Sequence, residues 1–300
     1  MLSSFWTGIA GKLADRWVAA ILSPAFLFWG GGLAAAGQVD YLARKFAEQT
    51  GTEQAAIVVG AFVVVAISGF VVEALALPIL RLLEGYWPRQ FDRVRRALIR
   101  RRSSHIDSAA IRWRELALAQ SARVLTPAER DEYARLDRFR SQAPLRAELR
   151  MPTRLGNVLR AAEQRPRERY GLDAIVCWSR LWLLLPETAR TELSAARGQL
   201  DTRAGVWLWA VLFSCWGVFV WWAPLVGVVL AAAVYRSLAD SAAVYGDLVV
   251  AAYDVYRGEL YRALHWPLPI APADEPAAGL ALSRYLARGI APPAAVFDRP

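Results

Sequence analysis

Apolar residues are concentrated in four long runs that polar stretches separate. The runs cover residues 17–36, 55–80, 205–223 and 225–244. Each is close to or above the roughly 20 residues that cross a hydrocarbon core of about 30 Å. The pattern predicts an all-α integral membrane protein with four transmembrane helices. For the first run, a cleaved signal peptide is the alternative, although the run exceeds the roughly 7–15 apolar residues of such a peptide.

Domain organisation follows from the spacing of these runs. Residues 1–84 form an N-terminal membrane part and residues 85–203 an arginine-rich cytoplasmic helical domain. Residues 204–265 form a C-terminal membrane part whose last helix extends into the cytoplasm. Residues 266–300 are rich in Pro and Ala, and we expect an extended or loosely ordered tail there.

Three local signals divide the polar region into helices. Thr126, Pro127 and Glu129 predict a capping box that starts a helix. Pro166 is expected to end a helix that starts after Thr153, because proline lacks a backbone N–H. Pro186 is expected to open a further helix.

Charge is distributed unevenly along the chain. Residues 85–203 hold 25 Arg and no Lys against 14 acidic residues, whereas the whole chain has a net charge of +9. Residues 81–102 alone hold eight Arg, and the loop 37–54 holds only Arg44 and Lys45. Because basic residues collect in cytoplasmic loops, we predict a multi-pass protein of the cell membrane with both termini cytoplasmic.

The stretch 89–102 predicts an amphipathic basic helix next to the second span. Such a helix suits an anionic leaflet, and an ordinary solvated helix is the alternative. We do not expect nucleic acid to bind, because no recognised module accompanies the charge. The residues predicted to contact lipid headgroups or a partner are Arg89, Arg93, Arg96, Arg100, Arg101 and Arg102.

Three ionisable residues, Glu73, Arg236 and Asp240, are predicted at membrane depth. Charged groups there are costly and so mark candidate functional sites. Arg236 and Asp240 are four residues apart and can pair on one helix face. The three residues line a polar pathway or subunit seam, or they form a structural ion pair, or Arg236 reaches the headgroups.

An acidic stripe recurs every seven residues at Asp240, Asp247 and Asp254. A seven-residue period keeps one face of a helix towards one environment. The stripe either meets the arginine-rich region, within or between subunits, or forms a solvated face.

No catalytic signature is present. The sequence lacks phosphate-binding glycine loops, zinc-protease motifs and nucleophile elbows, and its two Cys and two His have no metal-ligand spacing. We therefore expect no enzyme activity, no cofactor and no metal.

Residues 156–163, 169–174 and 178–182 resemble a segment of uncharacterised bacterial multi-pass membrane proteins, which also have two spans, a basic cytoplasmic region and two more spans. The resemblance implies this architecture and carries no activity. Its characteristic residues are Gly156, Asn157, Tyr170, Gly171 and Asp173. The glycines permit close packing, and Asn157 and Asp173 can cap helix ends.

Two functional hypotheses follow. The first is a homo-oligomeric channel or transport-like protein that its cytoplasmic helices regulate. The alternative is a membrane-anchored signalling or scaffold protein whose arginine surface binds anionic lipid or an acidic protein partner.

Overall fold

A computed structural model describes residues 23–290, and within this range every regular element is a helix. Three short 3-10 turns, at Arg89–Phe91, Ala147–Leu149 and Ser214–Val218, interrupt the α-helices. The α-helices are α1 (Pro24–Ala35), α2 (Val39–Ala47), α3 (Gly51–Ala74), α4 (Ala76–Glu84), α5 (Asp92–Ala122), α6 (Pro127–Ser141), α7 (Arg154–Tyr170), α8 (Ala174–Leu184), α9 (Glu187–Phe213), α10 (Ala223–Ala263) and α11 (Glu275–Arg288).

The chain divides into two compact units. The first, called the apolar unit, contains the residues up to Ile79 together with Asp201–Ser237. The second, called the helical unit, contains Leu80–Leu200 together with the residues from Leu238 onward. Helix α10 contributes its first part to the apolar unit and its remainder to the helical unit.

Two helices in the described range are long and apolar enough to cross a membrane. Helix α3 has 24 residues and α10 has 41, and the apolar 18-residue window within each has a mean hydropathy of 2.8 and 1.4, respectively. Only 6% of the apolar window of α3 is buried. A helix that is apolar on all sides yet unburied is typical of a lipid-facing helix.

Within the described range, the other two predicted spans contain helical stretches shorter than the spans themselves. Helix α1 has 12 residues, and residues 17–22 of that predicted span lie outside the described range. In the stretch 205–223, α9 ends at Phe213 and a 3-10 turn follows. The predicted second span also divides, at Leu75, because the ring of Pro78 excludes a helical carbonyl four residues earlier, at Ala74.

Aromatic side chains hold the apolar unit together. The indole Nε1 of Trp29 donates to Ser68 Oγ over 3.2 Å, which joins α1 to α3. Trp216 fills the space beside Gly32, where a Cβ would lie 1.9 Å from the indole Cε2. Gly32 is therefore required for this packing.

The helical unit has its core where α8, α10 and α11 meet. Leu172, Leu181, Leu260 and Leu282 are fully buried there. The hydroxyl of Tyr253 donates to the backbone oxygen of Ala174 over 2.7 Å, so the large buried side chain has a hydrogen-bond partner.

Two sequence predictions about prolines are wrong. Pro166 lies inside α7 rather than ending a helix at about residue 164. Its side chain is fully buried, and this packing offsets the roughly 3 kcal/mol that an interior proline costs. The tail from Pro267 is not extended throughout, because it contains α11. Alanine favours helix, Pro276 lies in the tolerated first turn, and Leu282 anchors the helix in the core.

Helices α5 and α6 pack against each other as a hairpin. The capping box predicted at Thr126 and Glu129 is confirmed. Trp113 stacks on Tyr133 with ring centroids 5.6 Å apart, and the guanidinium of Arg140 lies 3.8 Å from the Trp113 ring centroid. The predicted basic helix over 89–102 instead begins at Asp92 and continues to Ala122.

Candidate functional site

Three arginines of α7 bind the three aspartates of the acidic stripe on α10. The order along the two helices is the same, so the pairs form a ladder between parallel helices. We call these contacts the charge ladder, and their N–O distances are 2.9 Å for Arg154–Asp240, 3.1 Å for Arg165–Asp247 and 3.3 Å for Arg169–Asp254.

Small residues bring the two helices of the charge ladder together. A Cβ on Gly246 of α10 would lie 2.8 Å from the Cβ of Ala162 on α7. At the far end, the Tyr170 hydroxyl donates to Asp254 Oδ1 over 2.8 Å, and Arg257 lies over the Tyr170 ring at 4.2 Å. Of the two alternatives for the acidic stripe, the structure has the one in which it meets arginines, within a single chain.

The charge ladder changes the interpretation of the three ionisable residues that were predicted at membrane depth. Asp240 pairs with Arg154, not with Arg236, so the expected i,i+4 pair is wrong. The carboxylate of Asp240 is already engaged by a guanidinium from α7. Glu73 and Arg236 are exposed and form no ion pair with any other residue of 23–290. The structure therefore does not join these three residues into one site.

Gly156 and Asn157 fix the start of α7. A Cβ on Gly156 would lie 2.0 Å from the backbone oxygen of Glu84, so only glycine fits without a backbone shift. The Thr153 hydroxyl donates to that same oxygen over 2.8 Å. Buried Asn157 accepts from the Met151 N–H and donates to the Met151 carbonyl, both at 2.9 Å. Both motif residues are thus packing and hydrogen-bonding residues.

Gly171 and Asp173 shape the junction between α7 and α8. Gly171 has a φ of +69°, and a Cβ there would lie 1.9 Å from the Pro276 carbonyl oxygen. Asp173 Oδ1 accepts from the backbone N–H of Ile175 and Val176, both at 3.1 Å. The structure therefore has the helix cap that the sequence allowed at Asp173.

The arginines at the start of α5 are not neutralised in the same way. Between residues 89 and 102, seven Arg face one Asp, which gives a net charge of +6. Five of the six predicted lipid-contacting arginines are exposed and take part in no salt bridge among residues 23–290; these are Arg89, Arg93, Arg96, Arg100 and Arg101. This segment is called the basic segment.

Arg102 differs from the other five. Its side chain is half-buried, and its Nε donates to the Pro152 carbonyl oxygen over 2.8 Å. The side chain is thereby turned towards α7. Exposed apolar groups lie among the remaining arginines, since Phe91 and Val94 are both 51% exposed. The basic segment thus offers both cationic and apolar groups to its surroundings.

Two half-buried carboxyl groups, Glu84 and Glu163, interact electrostatically inside the helical unit. Burial raises the pKa of Glu84, and the nearby charge of Glu163 raises it further, against the opposing effect of Arg197, Arg160 and Arg81. Burial likewise raises the pKa of Glu163. The sequence pattern did not reveal this pair, because its members lie about eighty positions apart and no motif joins them.

No known protein family, characterised protein or solved structure matches the chain. The resemblance to bacterial multi-pass membrane proteins thus stays a prediction. Within the described part of the chain, no group of three or more His, Cys, Asp or Glu side chains is placed to hold a metal ion. The functional interpretation therefore rests on the charge distribution and on the apolar helices.

Proposed function

We propose that the chain is a membrane-anchored helical protein whose basic segment binds anionic phospholipid headgroups. The observation that carries the proposal is the contrast between two sets of arginines. Three arginines of α7 are matched one to one by the aspartates of α10. Five arginines of the basic segment are exposed, as are Phe91 and Val94 among them, and these arginines have no acidic partner in the described range.

The anchor that we propose is a set of four crossings. Helix α3 is about 36 Å long at 1.5 Å per residue, enough for a hydrocarbon core of about 30 Å. Its nearly complete exposure supports a lipid-facing position. Helix α1 packs against α3 and lies within the first predicted span, 17–36.

The two chain segments that make up the helical unit support an even number of membrane crossings between residues 200 and 238. Residues on both sides of this stretch belong to the same unit, which supports a path that leaves and returns on one side of the membrane. The apolar end of α9 would enter the membrane, and the start of α10 would cross it again to the side from which α9 came. Eight arginines in residues 81–102 favour the cytoplasm for this side, with both termini there too.

An anionic surface attracts each nearby Lys or Arg by about 1 kcal/mol. Five exposed arginines would then contribute about 5 kcal/mol to docking of the basic segment, before the screening by salt that weakens exposed charges. Phe91 and Val94 would add apolar contact with the acyl boundary. This combination favours lipid over an acidic protein partner, which would not need the apolar groups.

A channel has less support from the geometry. A conducting path would require Glu73, Arg236 and Asp240 to face a shared space, whereas Asp240 is engaged by Arg154. Ion flux through reconstituted vesicles, abolished by Arg236→Ala, would favour that hypothesis over the present one.

The test compares lipids that co-purify with the full chain in mild detergent from a mixed phosphatidylcholine and phosphatidylglycerol membrane. We expect phosphatidylglycerol to be enriched, and the enrichment to fall in Arg93→Gln/Arg100→Gln. The matched control is Arg130→Gln/Arg135→Gln, which removes two exposed charges of α6. An equal fall in both variants would show that overall charge, not the basic segment, selects the lipid.

A further inference from the structure

A cleft of about 210 Å³ opens between α5, α6 and α7 in the helical unit. It adjoins the end of the basic segment, whose last residue, Arg102, lines it, and it is smaller than the roughly 300–1,000 Å³ of pockets for drug-sized ligands. The residues that line it are Arg102, His105, Ile106, Phe139, Gln142, Ala143, Arg154 and Asn157.

The lining of this cleft is cationic and contains no carboxylate. Arg102 and His105 come from α5, and Arg154 comes from α7. The other two cavities described in the helical unit have acidic groups in their lining, Glu259 and Glu275 in one and Asp247 in the other. The absence of an acidic side chain from its lining therefore distinguishes the cleft from both.

Contacts outside the cleft orient its two arginines. Arg102 uses Nε to hold the Pro152 carbonyl, and its two Nη groups have no protein partner among residues 23–290. Arg154 uses Nη2 to bind Asp240 and Gln142 Oε1, at 2.9 and 3.5 Å, so its other nitrogens remain as donors. An arginine fixed by one bond loses less freedom when its remaining donors bind a ligand.

Apolar groups complete the wall. Ile106 and Ala143 are buried, and Phe139 is partly covered. The side-chain amide of Asn157 accepts from the Met151 N–H and donates to the Met151 and Thr153 carbonyls. It therefore shapes the wall of the cleft without offering a free donor. A ligand of this cleft would be small, anionic at one end and apolar at the other.

We propose that the cleft binds a phosphate group carried on a short apolar body. Arginine binds phosphate oxygens through paired N–H donors, and a phosphate group presents three acceptor oxygens. Two guanidinium groups and an imidazole from two helices suit three oxygens better than the two of a planar carboxylate. The same chemistry could come from a soluble phosphate monoester or from a phosphomonoester lipid headgroup.

The proposal is independent of lipid binding by the basic segment, because it uses Arg102, His105 and Arg154 rather than the exposed arginines before them. The experiment uses the full chain in phosphatidylcholine nanodiscs. Butyl phosphate and inorganic phosphate are titrated calorimetrically, and a parallel set of nanodiscs contains phosphatidic acid, whose retention by the protein is measured. We expect one saturable site per chain, with butyl phosphate binding more tightly than inorganic phosphate if the ligand is soluble.

Two substitutions test the site residues. Arg102→Gln and His105→Gln should each weaken binding about tenfold, the loss expected for a charge-assisted hydrogen bond. His105 is exposed and forms no hydrogen bond with the described residues, so its replacement leaves folding intact. Arg114→Gln, at an exposed position of α5 outside both the cleft and the basic segment, is the matched control and should bind as the parent does.

Each outcome decides for or against the proposal. Saturable butyl phosphate binding supports a soluble ligand, and selective retention of phosphatidic acid alone supports a lipid headgroup. Absence of both overturns the proposal, as does equal binding by His105→Gln, Arg102→Gln and the parent. Loss of phosphatidylglycerol enrichment in Arg93→Gln/Arg100→Gln with phosphate binding intact would separate this site from the proposed function.

Discussion

Gly279→Ala should loosen α11 although alanine is the better helix former. Gly279 lies inside α11, and a Cβ there would stand 1.9 Å from the Tyr170 carbonyl oxygen and 3.0 Å from the backbone of Gly171 and Leu172. These are backbone atoms, so no change of rotamer relieves the clash. Overpacking of this kind costs about 1–3 kcal/mol, and we expect the upper end.

The gain in helix propensity acts in the opposite direction. Replacing an interior helical glycine by alanine stabilises a helix by about 0.5–1 kcal/mol. The net effect is then a destabilisation of about 2 kcal/mol, which corresponds to a factor of about 30 in a local opening equilibrium. Amide hydrogen exchange of α11 in the full chain reads this opening directly, and exchange should become about 30-fold faster.

Gly198→Ala is the matched control. Gly198 lies inside α9, where a Cβ would have no atom within 4 Å, so alanine should slow exchange in its own helix. If Gly279→Ala also slowed exchange of α11, the close contact between α11 and the end of α7 would be refuted.

Three further predictions concern charge and packing. Arg165→Asp should destabilise the helical unit by about 1 kcal/mol, and Asp247→Arg added to it should restore stability in thermal unfolding; failure of the double variant to recover would argue against the charge ladder. Glu84→Gln should raise the melting temperature near neutral pH, because a raised pKa makes ionisation of Glu84 oppose folding. That gain should vanish below pH 4.5, the ordinary pKa of the group, and a gain that is constant with pH would contradict the burial of the carboxyl. Gly32→Ala should destabilise the apolar unit by about 1–3 kcal/mol through Trp216, whereas Gly31→Ala, with open space around it, should not.

Local features of the fold were accessible from the sequence. Hydrophobic runs predicted helices at α3 and α10, because a predominantly apolar run of about 20 residues satisfies its backbone hydrogen bonds in a membrane by forming an α-helix. The capping box at Thr126 depends only on residues three apart, so its physics is contained in the local sequence. The cap at Asp173 is of the same kind.

Features that depend on distant residues were not accessible. Pro166 stays in a helix because of its burial by other elements, which its neighbours in sequence do not reveal. The Pro- and Ala-rich composition of the tail did not predict α11, because the stability of this helix depends on Leu282 in a core made by α8 and α10. The seven-residue period showed that the aspartates share a face, but only tertiary packing decides that α7 supplies their partners.

The sequence indicated where the basic segment lies but not which of its arginines are exposed. Seven arginines within fourteen positions predict a cationic surface. The contact between Arg102 and Pro152, which removes Arg102 from that surface, spans fifty positions. The cleft beside it needs three helices to meet and has no sequence signature at all.

The most direct test of the account measures whether the basic segment lies on an anionic membrane. A cysteine replaces Val94 in a chain from which Cys177 and Cys215 have been removed, and a fluorophore attached there is quenched by lipids labelled at the headgroup boundary. In nanodiscs containing phosphatidylglycerol we expect strong quenching that falls with added salt and with Arg93→Gln/Arg100→Gln. Equal quenching in purely phosphatidylcholine nanodiscs, without any salt dependence, would contradict lipid binding by the basic segment.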